Sequence, residues 1–102
     1  MRMTLSMVSV LELFLASPDT NWWGYELLKQ SGVKRSTLYT VLTRLQEEGW
    51  IRGWWEEIDE QAAGRPARRY YCITAEGQRD APRAIADALG PALSYRARLG
   101  TA

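Results

Sequence analysis

Two helical patterns placed end to end constrain this chain more than any other feature. Gly24 to Gln30 reads as a short helix with Leu27 and Leu28 inward, and Gly32 ends it. A glycine just past the last turn takes the left-handed cap conformation without steric cost. Val33 then carries the chain directly into a second helix, about Arg35 to Glu48, closed by Gly49. There Leu38, Val41, Leu42 and Leu45 recur at i, i+3, i+4 and i+7, the spacing of one buried helix face. The result is a helix-turn-helix arrangement. At 100° per residue the opposite face carries Ser36, Thr40, Thr43 and Glu47, flanked by Tyr39 and Arg44, while Lys34, Arg35 and Thr37 crowd the amino end.

The segments on either side fill out the domain. From Thr4 to Ala16 the polar positions Ser6, Ser9 and Glu12 form one narrow stripe, so Leu5, Met7, Val8, Val10, Leu11, Leu13, Phe14 and Leu15 cover more than half the circumference. That is wider than a helix needs to pack on its own domain, which predicts two burial surfaces, one in the core and one against a second subunit. Thr4 is the expected N-cap and Ser17-Pro18-Asp19 the stop. Trp22-Trp23 reads as a very short strand. Trp50 to Asp59 and Arg68 to Thr74 read as two strands of a hairpin joined by the loop Glu60 to Ala67, with Gly64-Arg65-Pro66 at its tip. Thr74 caps a last helical segment that Pro82 kinks or restarts at Ala81. Ala81, Ile85, Ala88 and Leu89 form an apolar ridge there until Gly90-Pro91 ends the pattern, leaving a frayed tail.

The expected architecture is mainly α with a small antiparallel β-hairpin. It is a winged helix-turn-helix domain over residues 1–80, followed by a C-terminal helix and tail, residues 81–102, as a dimerisation element. Leu5, Val8, Leu11 and Leu15 on the first helix, with Ala81, Ile85, Ala88 and Leu89 on the last, are the expected dimer interface. A chain of 102 residues buries a modest share of its unfolded surface, so a partner subunit adds stability.

The absence of histidine excludes an imidazole general base, the Ser/His and Cys/His dyads and mixed Cys/His zinc sites, and one cysteine cannot close an intramolecular disulfide. No enzyme, cofactor or metal site is expected. Glu12 interrupts the longest apolar run, Met3 to Ala16, so no membrane span is expected; Met1-Arg2 before that run lacks the cleavage site of a signal peptide. An unpaired Cys72 fits the reducing cytoplasm, and its place on an alternating strand predicts a small buried apolar residue.

Charge points to a polyanion. Glu56, Glu57, Asp59 and Glu60 gather four of twelve acids within five positions, leaving thirteen basic against eight acidic side chains elsewhere. Lys34, Arg35 and Arg44 lie along the second helix of the pair, and Arg65, Arg68 and Arg69 along the hairpin. A major groove about 12 Å wide admits an α-helix, and a face of Ser, Thr and Tyr approaches base edges closely. Lys34 and Arg35 at its amino end suit phosphates, while arginines on a hairpin suit an adjacent minor groove or backbone. The rival reading is a winged-helix module that binds another protein without specific DNA contact.

The residues also carry a resemblance. Gly24-Tyr25-Glu26-Leu27, Ser36-Thr37-Leu38-Tyr39, Leu45-Gln46-Glu47-Glu48-Gly49-Trp50-Ile51, Gly64-Arg65-Pro66-Ala67-Arg68-Arg69-Tyr70-Tyr71 and Thr74-Ala75-Glu76-Gly77 together resemble the PadR family of bacterial transcription regulators, over about residues 3 to 80. The resemblance implies a homodimeric repressor of an inverted-repeat operator in double-stranded DNA, released by a small aromatic effector. By position Tyr25, Thr37 and Tyr39 resemble the family's DNA-contacting residues and Arg65 to Arg69 its wing. The C-terminal part is shorter than the family's usual dimerisation helix and broken by proline. Five tryptophans invite an effector site at a dimer interface. Trp50 is expected in the core, however, and Trp54 and Trp55 on opposite faces of their strand.

Overall fold

The computed structural model describes the backbone of residues 2–100 and the side chains of residues 2–90. Helix α1, Leu5–Ala16, starts where the Thr4 side chain accepts a hydrogen bond from the Met7 amide. Strand β1, Trp22–Trp23, runs straight into α2, Gly24–Ser31, whose start is held by the Glu26 carboxylate accepting from the Trp23 amide at 3.2 Å. Gly32, at φ 71°, closes α2 and opens the turn to α3, Arg35–Glu47, with Lys34 as its N-cap residue. Gly49, at φ 76°, then turns the chain into β2, Ile51–Trp55.

A short helix α4, Glu60–Ala63, stands inside the connection that sequence reasoning read as an open loop. Asp59 caps it by accepting from the Gln61 and Ala62 amides at 3.0 and 3.2 Å, and Gly64, at φ 68°, closes it. Gly64 thus ends a helical turn. Strand β3, Arg69–Ile73, lies between the other two in the order β1-β3-β2, both pairings antiparallel. Pairing Trp22 with Tyr71 and Trp23 with Tyr70 ties the turn before α2 to the middle strand of the wing.

Fully buried Phe14, Met7, Leu11, Val10, Leu27, Leu38, Leu42 and Leu45 come from α1, α2 and α3, and Trp50, Ile51, Tyr71 and Ile73 seal the core from the sheet side. Each buried large apolar side chain contributes about 1.5–3 kcal/mol. The α3 residues among them are those of the expected face, so the register of α3 is set by its own apolar spacing.

The last helix departs from expectation. α5 is one helix, Ala75–Gly100, through both Pro82 and Gly90-Pro91. Proline inside a helix forfeits a hydrogen bond and costs about 3 kcal/mol. Here Ala81 is buried immediately before Pro82, and Ala84 and Ile85 pack on the same core just after it, so burial holds both halves in line. The boundary expected between residues 80 and 81 therefore falls inside a continuous helix. Residues 101–102 of the expected tail lie outside the described residues.

The expected dimer surface is also redrawn. Leu11 and Ala81 are wholly buried in their own domain and Val8 nearly so, because α1 packs against α2, α3 and α5 at once. They are core residues and present nothing to a partner. Leu5, 74% exposed, remains outward with Ala88, while Leu15, Ile85 and Leu89 are half-buried.

Candidate nucleic-acid interface

The outward face of α3 is open. Ser36, Tyr39, Thr40, Thr43 and Arg44 are all exposed and Thr37 half-buried, and Lys34 and Arg35 stand exposed at the amino end. The Thr40 hydroxyl donates to the Ser36 carbonyl at 3.0 Å and that of Thr43 to the Tyr39 carbonyl at 2.9 Å. Such back-bonding uses the hydroxyl proton within the helix. Thr40 and Thr43 therefore offer outward an oxygen acceptor and a methyl group, the complement of an exocyclic amine or a thymine methyl.

Two flanks border that face. On one, Tyr39 and Arg35 join Tyr25, Trp55, Arg68 and Arg69 around a cavity of about 310 Å³ between α2, α3 and the root of the wing. Tyr25 and Tyr39 are about half exposed, Trp55 62% exposed, and Tyr25 packs against Trp23 with ring centroids 5.2 Å apart. On the other flank, Thr37 and Arg44 line a cavity of about 440 Å³ with Arg2, Thr4 and Ser6 from the start of α1. The helix pair thus brings Tyr25, Lys34, Arg35, Ser36, Thr37, Tyr39, Thr40, Thr43 and Arg44 to one side of the domain.

The three wing arginines separate in role. Arg65 is not a free tip: it makes a bidentate pair with Glu56, Nη1 to Oε1 at 2.7 Å and Nη2 to Oε2 at 3.2 Å, while the Arg68 amide donates to the same carboxylate at 3.3 Å. The Arg65 hydrogen bond holds the Glu56 carboxyl below the usual carboxylate range, and Glu56 in turn raises Arg65. Arg65 is therefore braced within the wing by Glu56, with about a third of its side chain still exposed; this pairing across the strand ends is something a sequence alone does not disclose. Arg68 lies over the Trp23 ring at 4.0 Å, which fixes a cation beside Tyr25. Arg69 sits near the rings of Trp55 and Tyr71, and its Nη2 reaches Oε1 of Gln46 on α3 at 3.5 Å.

The tryptophans lie as expected, and Cys72 does not. Trp54 stacks on Tyr70 at 6.1 Å with Arg52 over it at 4.7 Å, and Trp55 lies on the opposite face, while Trp50 is in the core. Cys72 is half-exposed, not buried, because Tyr71 and Ile73 take the inner positions of β3; Arg52 Nη2 stands 3.9 Å from its sulfur. Arg2, Ser6, Gln46 and Trp55 also border the α3 face, and none is among the contacts expected from the sequence. Gln46 and Arg2 are separated in sequence from the elements they serve, and no periodicity signals them.

Comparison with known proteins agrees with this geometry. A sequence profile of the Transcriptional regulator PadR-like family matches residues 15–83. Among solved structures, a PadR family transcriptional regulator from Eggerthella lenta is 24% identical, with TM-score 0.65, over 96% of this chain and 88% of that one. The protein smu.1704 from Streptococcus mutans is 20% identical, with TM-score 0.68, over 98% and 94%. A MepR mutant from a multidrug resistant S. aureus clinical isolate is 17% identical, with TM-score 0.63, over 92% of this chain and 65% of its own. No curated protein matches significantly. At these identities the structural likeness establishes the winged-helix fold. Among the described residues, no helix is long and apolar enough to cross a membrane.

Proposed function

The chain belongs to the PadR-like family of transcriptional regulators, and from that premise we propose that it binds double-stranded DNA sequence-specifically as a homodimer. It represses a nearby cytoplasmic promoter at an inverted-repeat operator, and a small aromatic effector relieves the repression. The observation that carries this reading is the outward face of α3 from Ser36 to Thr43: short, exposed and bordered by Lys34, Arg35 and Arg44, with two threonine hydroxyls tied back to the helix and Glu47 beyond it at the carboxy end. Such a face lies against base edges without long side chains to hold it away.

Roles follow from position. Lys34, Arg35 and Arg44 neutralise phosphates and set the register of the helix on the duplex. Ser36, Thr37, Tyr39, Thr40 and Thr43 face the bases, and Tyr25 and Arg68 extend the contact from the α2 side. Arg65 and Arg69, braced by Glu56 and Gln46, hold the wing against the adjacent DNA backbone. Two copies joined through the exposed and half-buried parts of α1 and α5, Leu5, Leu15, Ile85, Ala88 and Leu89, set two recognition helices about one DNA turn apart.

The test is a footprint of the purified protein on the DNA upstream of its own gene, followed by anisotropy titrations at several salt concentrations. A protected two-fold symmetric site, with affinity that falls steeply as salt rises, supports the reading. Equal, salt-insensitive affinity for all sequences, or none, overturns it. Repeating the footprint with phenolic and other planar aromatic compounds tests the effector.

A further inference from the structure

We propose that the cavity between the start of α1 and α3 is a binding site for a DNA backbone phosphate, with Arg2 and Ser6 as contacts outside the helix-turn-helix pair. Arg2, Thr4 and Ser6 line it on one side and Ser36, Thr37 and Arg44 on the other, with Met7, Thr40 and Val41 completing the lining, and no acidic residue lines it. Among the described residues the ion pairs are Arg65 with Glu56 and Arg79 with Asp80, so neither guanidinium at this cavity is within ion-pair distance of a carboxylate; Glu47 and Glu48 lie on the far side of Arg44, lining a neighbouring cavity with it. Two cations at one cavity, neither in a direct ion pair, favour an oxyanion between them. The hydroxyls complete the site. Thr4 accepts from the Met7 amide, which leaves its proton free to donate outward.

The inference rests on the DNA-binding reading, and the position of the cavity selects the ligand. A helix is about 10–12 Å across with its side chains and fills a major groove about 12 Å wide, so the two phosphate strands lie along its two flanks. Tyr39 and Gln46 mark the flank of α3 toward the wing, where Arg69 and Trp55 stand. Thr37 and Arg44 mark the opposite flank, and the cavity opens there. A duplex seated on α3 lays its second strand against Arg2 and Ser6. The start of α1 then does for one strand what the wing does for the other.

The test uses the full-length protein and a 30-base-pair duplex of arbitrary sequence, because a phosphate contact is independent of bases. Affinity is measured by anisotropy across a salt series for the parent, Arg2→Ala, Arg2→Lys, Ser6→Ala and, as a control for net charge, Arg83→Ala on α5. The expected result for Arg2→Ala is a 3- to 10-fold loss of affinity and a log–log salt slope shallower by about 0.9, the change for one phosphate. Arg2→Lys retains the slope, Ser6→Ala loses about 2- to 5-fold in affinity with the slope unchanged, and Arg83→Ala alters neither. An unchanged slope in Arg2→Ala, or an equal change in Arg83→Ala, overturns the proposal while leaving the DNA-binding reading intact. A parent protein without salt-dependent affinity overturns both.

Discussion

Arg69 on β3 and Gln46 on α3 meet across the backbone of Gly53, Nη2 to Oε1 at 3.5 Å, and this links the wing to the helix beside it. A Cβ on residue 53 would stand 2.9 Å from the Arg69 nitrogen, 3.0 Å from the Gln46 oxygen and 3.1 Å from the Tyr71 ring. The first two atoms end flexible side chains and swing aside; the buried ring yields little. Gly53→Ala is expected to destabilise the domain by only about 1 kcal/mol in urea unfolding. Its effect and that of Gln46→Ala are expected to be non-additive in a double-mutant cycle, since both open the same contact. Strict additivity would show that Arg69 and Gln46 do not act together.

Gly77 stands in a different position. A Cβ there would overlap the Trp50 carbonyl oxygen and come within 2.9 Å of Ile73 Cγ1, and a backbone group in a sealed core cannot swing aside. Gly77→Ala is expected to cost about 3 kcal/mol or more and to lower the melting temperature by tens of degrees in this small domain. Gly90→Ala on the same helix, where nothing among the described residues beyond its chain neighbours lies within 4 Å, is expected to be neutral or stabilising by up to about 1 kcal/mol. Thermal unfolding of the two variants separates the cases.

The Glu56–Arg65 pair makes the wing sensitive to acid. Because the Glu56 carboxyl is held below its ordinary value of 4.5, the pair's contribution is fully present at neutral pH and is lost as pH falls below that value and through the folded-state one. The Arg68 amide, which donates to the same carboxylate, is expected to lose exchange protection over that window in the parent. In Glu56→Gln it should be less protected already at neutral pH. Protection of this amide that does not respond to acid would show the pair to be unimportant for wing order.

Phosphate and base contacts predict different phenotypes on α3. Lys34→Ala is expected to weaken operator and random DNA alike, about 3- to 10-fold, with a shallower salt slope. Thr43→Val keeps the shape and the methyl group but removes the acceptor oxygen, so discrimination between operator and random DNA should fall about 5-fold or more at little change in slope. Competition titrations with both DNAs check this, and reversed phenotypes would reassign the two residues.

The helices of the recognition pair were legible because their information is local. Leu38, Val41, Leu42 and Leu45 define the buried face of α3 by spacing alone, Gly32 and Gly49 occupy positive-φ positions that punish other residues, and Thr4 caps α1 by bonding the amide three residues ahead. The chain itself therefore determined which helix faces outward and which side chains that face carries. What it did not determine was whatever depends on partners distant in sequence. Arg65 meets Glu56 nine positions away, Arg69 meets Gln46 twenty-three positions away, and Leu11 and Ala81 are covered by their own domain instead of a second copy. Pro82 continues a helix because Ala81 and Ile85 are held on the core around it. Each outcome turns on the free energy of burial or pairing that exists only once the elements are packed, and only the tertiary structure decided it.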